Sequence, residues 1–315
     1  MRVATYEGKS GAAPGVIEGQ WVVDVAGTVE WAARLASIEP AARPALDTVG
    51  ARGGAPRDLI DLLSRGPDYA AALGRLASAA VRAEGRPPGL LTPLAGARLR
   101  APIARPPKIT CVGLNYADHA REQGIEAPET PVFFLKSANT ITGPGDPIRL
   151  PPNTAQPDYE AELAVVIGKG GSRIPRERAW EHVGGYTILN DVTARDMQHG
   201  DKQWFRGKSC DTFAPTGPWI VTPDEIPDPH ALAISLTLNG QTMQDSSTSN
   251  LIHKIDFLIS YLSQSLTWEP GDIISTGTPP GVGVFRKPPV FIKAGDEIAV
   301  TVERIGTLTN PVVGP

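Results

Sequence analysis

Short apolar runs separated by glycine and proline are the feature that most limits how this chain can fold. The 33 glycines and 31 prolines favour a turn-rich, largely β architecture over a helical bundle. Because many short strands with few helices are typical of rolls and barrels, we expect a mixed-β roll or barrel with a helix at 250–264. The predicted strands lie in KITCVGL, PVFFLK, ELAVVIG, GYTILNDV, GPWIVT, ISLTLNG, DIISTG and DEIAVTVERIG.

The first 100 residues have a different pattern. Short strands joined by glycine turns are predicted up to about residue 27, and RDLIDLLSRG and DYAAALGRLASAAVRA have apolar residues at helical spacing. The stretch EGRPPGLLTP, residues 84–93, indicates a linker. A length of 315 residues also favours one large domain and a smaller one. We therefore expect a small α/β domain at 1–100 and a larger domain at 101–315.

Charge and cysteine content exclude several classes of protein. A net charge of −4 without a Lys/Arg tract argues against binding nucleic acid or an anionic membrane. No run of 18 apolar residues occurs, and the first residues lack the apolar core of a signal peptide. Cys111 and Cys210 form no CxxC, so a disulfide framework is not expected. These features predict a soluble, cytoplasmic protein.

Two acidic residues head a strand that is otherwise apolar, in DYEAELAVVIGKG at 158–170. Strand side chains alternate between faces, so Glu160 and Glu162 point the same way. Two like charges on a half-buried face repel each other and lose hydration, and a divalent cation removes both penalties. The alternative is an edge strand whose outer face is exposed to water.

A third acidic residue, Asp191, follows the apolar run GYTILN. Three carboxylates on two strands, with no histidine beside them, suit a hard cation and not zinc. Asp191 could instead cap a turn or the helix that follows it.

Two further segments offer groups for acid–base or charge chemistry. On a helix, His119 and Glu122 share one face, so the carboxylate can orient the imidazole as a general base. Their segment is rich in Gly, Pro and acidic residues, which indicates a mobile loop that could order over a site. Lys208 could stabilise developing enolate charge, and the loop STGTPPGVG at 275–283 could bind a carboxylate. A solvated His–Glu pair, a surface lysine and a tight turn are the alternatives.

Together these segments resemble the fumarylacetoacetate hydrolase family over about residues 105–313. The resemblance lies in the order of the motifs, which is far more specific than any one of them. It implies a mixed β-roll, a homodimer and a small oxo-acid substrate. The matching motifs are GLNYADHARE, PVFFLKSANTITGPGDPI, DYEAELAVVIG, GYTILNDVTARDMQ, RGKSCDTFAPTGPWIVT, STGTPPGVG and GDEIAVTVERIGTLTNPV.

The resemblance also assigns roles to individual residues. It implies a Mg²⁺ or Mn²⁺ site, with Ca²⁺ as another candidate ion, whose ligands are Glu160, Glu162 and Asp191. The implied catalytic residues are His119, Glu122 and Lys208, and the implied substrate contacts are Arg195, Asp196, Gln198 and Thr278.

The activity implied first is hydrolysis of a carbon–carbon bond in a 2,4-dioxo acid of the acylpyruvate or fumarylpyruvate type, through a metal-bound enolate. In that scheme His119 and Glu122 activate the water and Lys208 stabilises the enolate. Similar motifs also accompany decarboxylation of oxaloacetate and isomerisation of hydroxymuconate-type or 2-hydroxyhepta-2,4-diene-1,7-dioate-type acids. A non-catalytic β-roll that binds a metal or a small acid is the alternative from another class.

Overall fold

The protein is described by a computed structural model that covers residues 1–35 and 43–315. Within these residues most strands belong to a sheet of twelve strands and a sheet of five. The strands are β1 Arg2–Gly8, β2 Gly11–Glu18, β3 Trp21–Asp24, β4 Leu91–Pro93, β5 Leu99–Arg100, β6 Ile109–Gly113, β7 Val132–Lys136, β8 Ile141–Thr142, β9 Ile148–Arg149, β10 Pro157–Asp158, β11 Ala161–Ile167, β12 Val183–Asn190, β13 Thr193–Ala194, β14 Ala214–Val221, β15 Ala233–Leu238, β16 Gln241–Ser247, β17 Ile273–Ser275, β18 Glu297–Val302 and β19 Gly306–Val313.

Helices are fewer than strands, which confirms the predicted mixed β architecture with some α structure. The α-helices are α1 Val25–Leu35, α2 Arg43–Ala51, α3 Leu59–Ser64, α4 Pro67–Arg82, α5 Ala117–Gln123, α6 Arg195–Gly200, α7 Phe205–Lys208 and α8 Ile255–Ser263. Among the helices of the described ranges, none has the length and apolar character needed to cross a membrane.

The helix expected at 250–264 is shorter than its sequence pattern suggests, because α8 begins only at Ile255. The preceding residues pair with another segment: Leu251 forms a bridge with Tyr116, and His253 N donates to Asn115 Oδ1 at 2.8 Å. Tertiary hydrogen bonds therefore replace the first helical turn.

The order of strands in the large sheet is β4-β3-β2-β1-β14-β12-β11-β17-β6-β7. β5 pairs with β1, and β8 pairs with β14, beside this path. The other sheet runs β16-β15-β18-β19-β9, and β10 pairs with β13. Burial explains the sequence patterns: β11 is buried on both faces and reads as a continuous apolar run, whereas β18 alternates between buried and exposed residues.

The N-terminal strands continue the large sheet, since β1 pairs with β14 through Arg2 and Val221. A shared hydrophobic cluster includes Leu73 of α4 and Val166 of β11. The segment 84–93, predicted to be a linker, ends in β4, which pairs with β3. The division of the chain into domains at 1–100 and 101–315 stays a prediction.

Candidate metal centre and active site

The site forms where β11 begins and where β12 and β17 end, at one edge of the large sheet. β11 is antiparallel to both neighbours, so its first residues lie beside their last residues. Hydrogen bonds of two backbone amides fix the acidic positions: Asp191 N donates to Glu160 O at 2.9 Å, and Glu160 N donates to the side-chain Oδ1 of Asn190 at 3.0 Å. The predicted strands thus bring Asp191 beside the paired glutamates.

The predicted carboxylates form one buried cluster. Glu160, Glu162 and Asp191 each offer an oxygen, and these oxygens all lie within 4.8 Å of one another. All three residues are buried. Asp191 does not cap a helix, because both of its carboxylate oxygens accept bonds from lysine side chains.

Two buried lysines neutralise part of this charge. Lys208 Nζ donates to Glu160 Oε2 at 2.7 Å and to Asp191 Oδ2 at 2.8 Å. Lys136 Nζ donates to Asp191 Oδ1 at 2.6 Å. Lys208 is therefore not a surface lysine. Sequence reasoning missed Lys136, although its position at the end of the apolar run PVFFLK was a signal.

The two glutamates have opposite pKa shifts. Burial opposes ionisation of Glu160, but the charges of Lys208 and Arg195 outweigh burial and lower its pKa. Burial and the neighbouring charges of Asp191 and Glu160 raise the pKa of Glu162 well above its usual range. In the described ranges no cationic side chain pairs with Glu162, whose Oε2 accepts bonds from Ser275 Oγ and Gly277 N. Glu162 is therefore the carboxylate with the most need of a cation.

Arg195, on the first turn of α6, joins this cluster as a third buried cation. Its Nε donates to Asp158 Oδ2 at 2.8 Å, and its Nη2 lies 2.7 Å from Glu160 Oε1. Burial disfavours the charged form of Arg195, but the charges of Glu160 and Asp158 outweigh burial and raise its pKa. Arg195 Nη1 also donates to Gln198 Oε1 at 3.1 Å. Asp158, which the sequence did not single out, thus fixes a predicted substrate contact.

A close approach of α6 and α7 places Lys208 next to Arg195. A Cβ on Gly207 would lie 2.7 Å from Gln198 N and 2.8 Å from Ala194 O. Such distances are shorter than van der Waals contact, so only glycine lets the two short helices pack this closely. The sequence RGKS therefore positions the lysine through the small residue before it.

The predicted His–Glu pair lies on α5, and His119 lines the same cavity as Glu160 and Glu162. His119 is buried, and its Nδ1 lies 2.9 Å from Glu122 Oε2. Glu122 Oε1 accepts a bond from Gly281 N at 3.0 Å, and Asp118 Oδ2 accepts one from Ser246 Oγ at 2.6 Å. The segment predicted to be a mobile lid is here a docked helix, so His119 and Glu122 form an oriented pair.

Of the two remaining predicted substrate contacts, Thr278 lines the cavity and Asp196 does not. Thr278 is buried at the cavity, where its Oγ1 donates to Ala161 O at 3.0 Å. Asp196 does not line the cavity. Its carboxylate accepts bonds from Thr154 Oγ1 and Ala155 N, both at 2.7 Å, which lower its pKa against the opposing effect of burial. A substrate contact of Asp196 stays a prediction, whereas its contact with the loop at 154–155 is observed.

These groups surround a cavity of about 140 Å³. Its wall includes the aromatic side chains of Phe134, Trp204 and Phe285 as well as charged groups. The lining residues are Val112, Gly113, Leu114, His119, Gln123, Phe134, Glu160, Glu162, Arg195, Gln198, His199, Trp204, Lys208, Thr278 and Phe285.

The donor set of the cluster fits a hard divalent cation. The cluster has four carboxylates, those of Asp158, Glu160, Glu162 and Asp191, and three cationic side chains, those of Lys136, Lys208 and Arg195. When Glu162 is ionised, as it is when it binds a cation, the side chains leave one excess negative charge. The three converging ligands offer only oxygen atoms, which Mg²⁺, Mn²⁺ and Ca²⁺ prefer.

Comparisons with known proteins agree with this geometry. The model of the fumarylacetoacetate (FAA) hydrolase C-terminal family matches residues 108–313. Oxaloacetate tautomerase YisK of Bacillus subtilis (strain 168) is 46% identical over 261 residues, which are 82% of this chain and 87% of that protein.

One further relative and one solved structure are also similar to this chain. Mitochondrial oxaloacetate tautomerase FAHD2A of Bos taurus is 53% identical over 215 residues, which are 68% of each chain. The structure of a fumarylacetoacetate hydrolase from Exiguobacterium antarcticum matches with a TM-score of 0.79 and 35% identity, and the match covers 100% of both chains. The family match and these relatives establish that the chain belongs to the fumarylacetoacetate hydrolase family.

Proposed function

We propose that this protein is a divalent-metal-dependent isomerase that interconverts the keto and enol forms of a small 2-oxo dicarboxylic acid. One observation carries the proposal: a single cavity of about 140 Å³ is lined by Glu160 and Glu162 of the carboxylate cluster and by Lys208, Arg195 and His119. Pockets for drug-sized ligands measure about 300–1,000 Å³, so this cavity favours a substrate of few carbons. Relatives named oxaloacetate tautomerases support the same reaction class.

The proposed reaction moves one proton between C3 and the 2-oxo oxygen and consumes no other reactant. Bound at Glu160, Glu162 and Asp191, a divalent cation would supply Lewis-acid polarisation of the substrate's oxygens. The positive charges of Lys208 and Arg195 would stabilise the negative charge that develops on the oxygen.

His119 is the proposed base for the proton at C3. Its Nδ1 is held by Glu122, so its Nε2 is the nitrogen directed to the cavity side. The Glu122 carboxylate would stabilise the imidazolium that forms when Nε2 takes the proton. The aromatic wall, which includes Phe134 and Trp204, would exclude water from the transfer.

Hydrolysis of an acylpyruvate is the second candidate function. The observation that favours it is the His119–Glu122 pair at 2.9 Å, since such a pair could activate water as well as accept a proton from carbon. The relatives named tautomerases favour isomerisation over hydrolysis, and the small cavity leaves less room for an acyl tail.

A product assay with Mg²⁺ or Mn²⁺ distinguishes these reactions. The enol form of oxaloacetate is mixed with the protein, and loss of its ultraviolet absorbance is compared with the rate without protein. Parallel samples measure pyruvate formation from oxaloacetate and acetate formation from acetylpyruvate. The proposal predicts faster loss of the enol with little pyruvate or acetate. Acetate formation at a higher kcat/KM than enol loss would establish the hydrolase instead.

The homodimer stays a proposal, and sedimentation of the purified protein is the measurement that checks it.

A further inference from the structure

Gln123 contacts the proposed base on its cavity side. Its amide Nε2 lies 2.8 Å from His119 Nε2, and the side chain lines the cavity. Because the Glu122 carboxylate can only accept, His119 Nδ1 must carry the hydrogen of that bond. His119 Nε2 is then an acceptor, and the Gln123 amide is the donor. Both ring nitrogens of His119 are thus hydrogen-bonded to side chains of its own helix.

This arrangement cannot persist during proton transfer. An imidazole nitrogen has one lone pair, so His119 Nε2 cannot accept from Gln123 and take a proton from carbon at once. The substrate must therefore displace the Gln123 amide. Leaving the displaced amide without an acceptor inside the cavity costs free energy, so the amide needs another acceptor. The nature of that acceptor decides which substrates the site favours.

In a 2-oxo dicarboxylate such an acceptor lies next to the reacting atom. The proton leaves C3, and the distal carboxylate is bonded directly to C3 in the four-carbon acid. Reacting atoms approach to about 3–3.5 Å before transfer, so C3 comes close to His119 Nε2. The Gln123 amide begins 2.8 Å from that same nitrogen. A distal carboxylate on C3 is therefore within reach of the amide after a small side-chain rotation.

We propose that Gln123 is a specificity-determining residue that binds the distal carboxylate of the substrate. Its amide moves from His119 Nε2 to that carboxylate as the substrate enters, which frees the base only when the distal acid is present. A neutral tail offers a weaker acceptor and leaves the amide on His119. This inference rests on the proposed function, and it names the substrate class as short 2-oxo dicarboxylates.

The test compares two unreactive ligands that differ at the distal group. Malate carries the distal carboxylate, whereas 2-hydroxybutyrate ends in a methyl group. Their dissociation constants are measured by calorimetry with Mn²⁺ for the wild type and for Gln123→Met, which keeps the length of the side chain and removes the amide. Arg121→Met is the matched control, because Arg121 is an exposed residue of the same helix and does not line the cavity.

The wild type should bind malate more tightly than 2-hydroxybutyrate. Gln123→Met should weaken malate binding about ten-fold or more, as expected for a hydrogen bond to a charged group, and leave 2-hydroxybutyrate nearly unchanged. Arg121→Met should match the wild type. Equal effects on both ligands, or a wild type without preference for malate, would overturn the inference. Gln123→Ala serves if the methionine variant does not fold.

Neither ligand reacts, so these affinities do not depend on turnover. A wild type that prefers malate through Gln123 but does not accelerate loss of the oxaloacetate enol would refute the proposed function alone. A wild type that accelerates enol loss, with malate binding insensitive to Gln123→Met, would refute the role of Gln123 alone.

Discussion

Replacing Lys136 with methionine should destabilise the fold and at the same time strengthen binding of a divalent cation. Lys136 Nζ lies 2.6 Å from Asp191 Oδ1, and both side chains are fully buried. Removing one partner of a buried ion pair leaves the other charge without compensation, at a cost of about 3–5 kcal/mol. The positive charge of Lys136 also repels any cation bound at Asp191, so its removal should strengthen cation binding.

The melting temperature converts this cost into a measurable shift. Unfolding entropy is about 2.1 cal/mol/K per residue, so a chain of 315 residues has about 0.66 kcal/mol/K. A loss of about 3–5 kcal/mol therefore lowers Tm by about 5–8 °C in the presence of a chelator. Added Mn²⁺ should raise Tm by more degrees in Lys136→Met than in the wild type, because a ligand that binds only the folded state stabilises it according to its affinity.

Calorimetric scans of both proteins, with chelator and with a Mn²⁺ series, provide the measurement. Lys169→Met is a suitable control, since Lys169 forms an exposed pair with Glu181 and its loss should change Tm little. A drop in Tm of less than about 1 °C in Lys136→Met would show that this pair contributes far less than the buried ion pairs of other proteins. An unchanged or smaller response to Mn²⁺ would refute the placement of Lys136 beside the cation site.

Three further outcomes follow from the same geometry. Glu162→Gln should lose most of the Tm increase caused by Mn²⁺ and most turnover, because it removes the carboxylate that pairs with no cationic side chain of residues 1–35 and 43–315; an unchanged Mn²⁺ response would exclude Glu162 as a ligand. His119→Ala should keep the Mn²⁺ response but lose about 10²–10⁴-fold in kcat for enol loss, and full activity would remove His119 from the reaction. Gly283→Ala should lose about 1–3 kcal/mol of stability in urea unfolding, because its Cβ would lie 1.9 Å from Val290 O; a loss within error would mean that this loop shifts freely.

Local periodicity predicted much of the candidate site. Strand alternation put Glu160 and Glu162 on one face, and helical spacing paired His119 with Glu122, and both arrangements are present in the structure. These predictions succeed because residues two apart on a strand, or three apart on a helix, are neighbours whatever the rest of the fold does. The same helical spacing also puts Gln123 four residues after His119, so its contact was available from the sequence.

Groups that meet through tertiary structure were not predictable in this way. Lys136 reaches Asp191 across 55 positions of sequence, and Asp158 reaches Arg195 across 37. A charged residue at the end of an apolar run reads equally well as a solvated strand end. For Asp196 the sequence predicted a contact with substrate, whereas the contact seen in the structure is a hydrogen bond from Thr154 Oγ1 to the Asp196 carboxylate. The pairing of β1 with β14 likewise depends on strands more than 200 residues apart, which no local pattern encodes.

The charge balance of the cluster links the proposed metal to the proposed substrate. With all four carboxylates ionised, the three cations leave one excess negative charge, which would repel a dicarboxylate anion; with Glu162 protonated, as its raised pKa favours, the cluster has no excess charge to attract one. A divalent cation at Glu160, Glu162 and Asp191 would keep Glu162 ionised and give the cluster one excess positive charge. Lys208 and Arg195 cannot make this change by themselves, because their charges are already paired with buried carboxylates. The lysines and the arginine therefore hold the carboxylates in place, and affinity for the anionic substrate should depend on the cation.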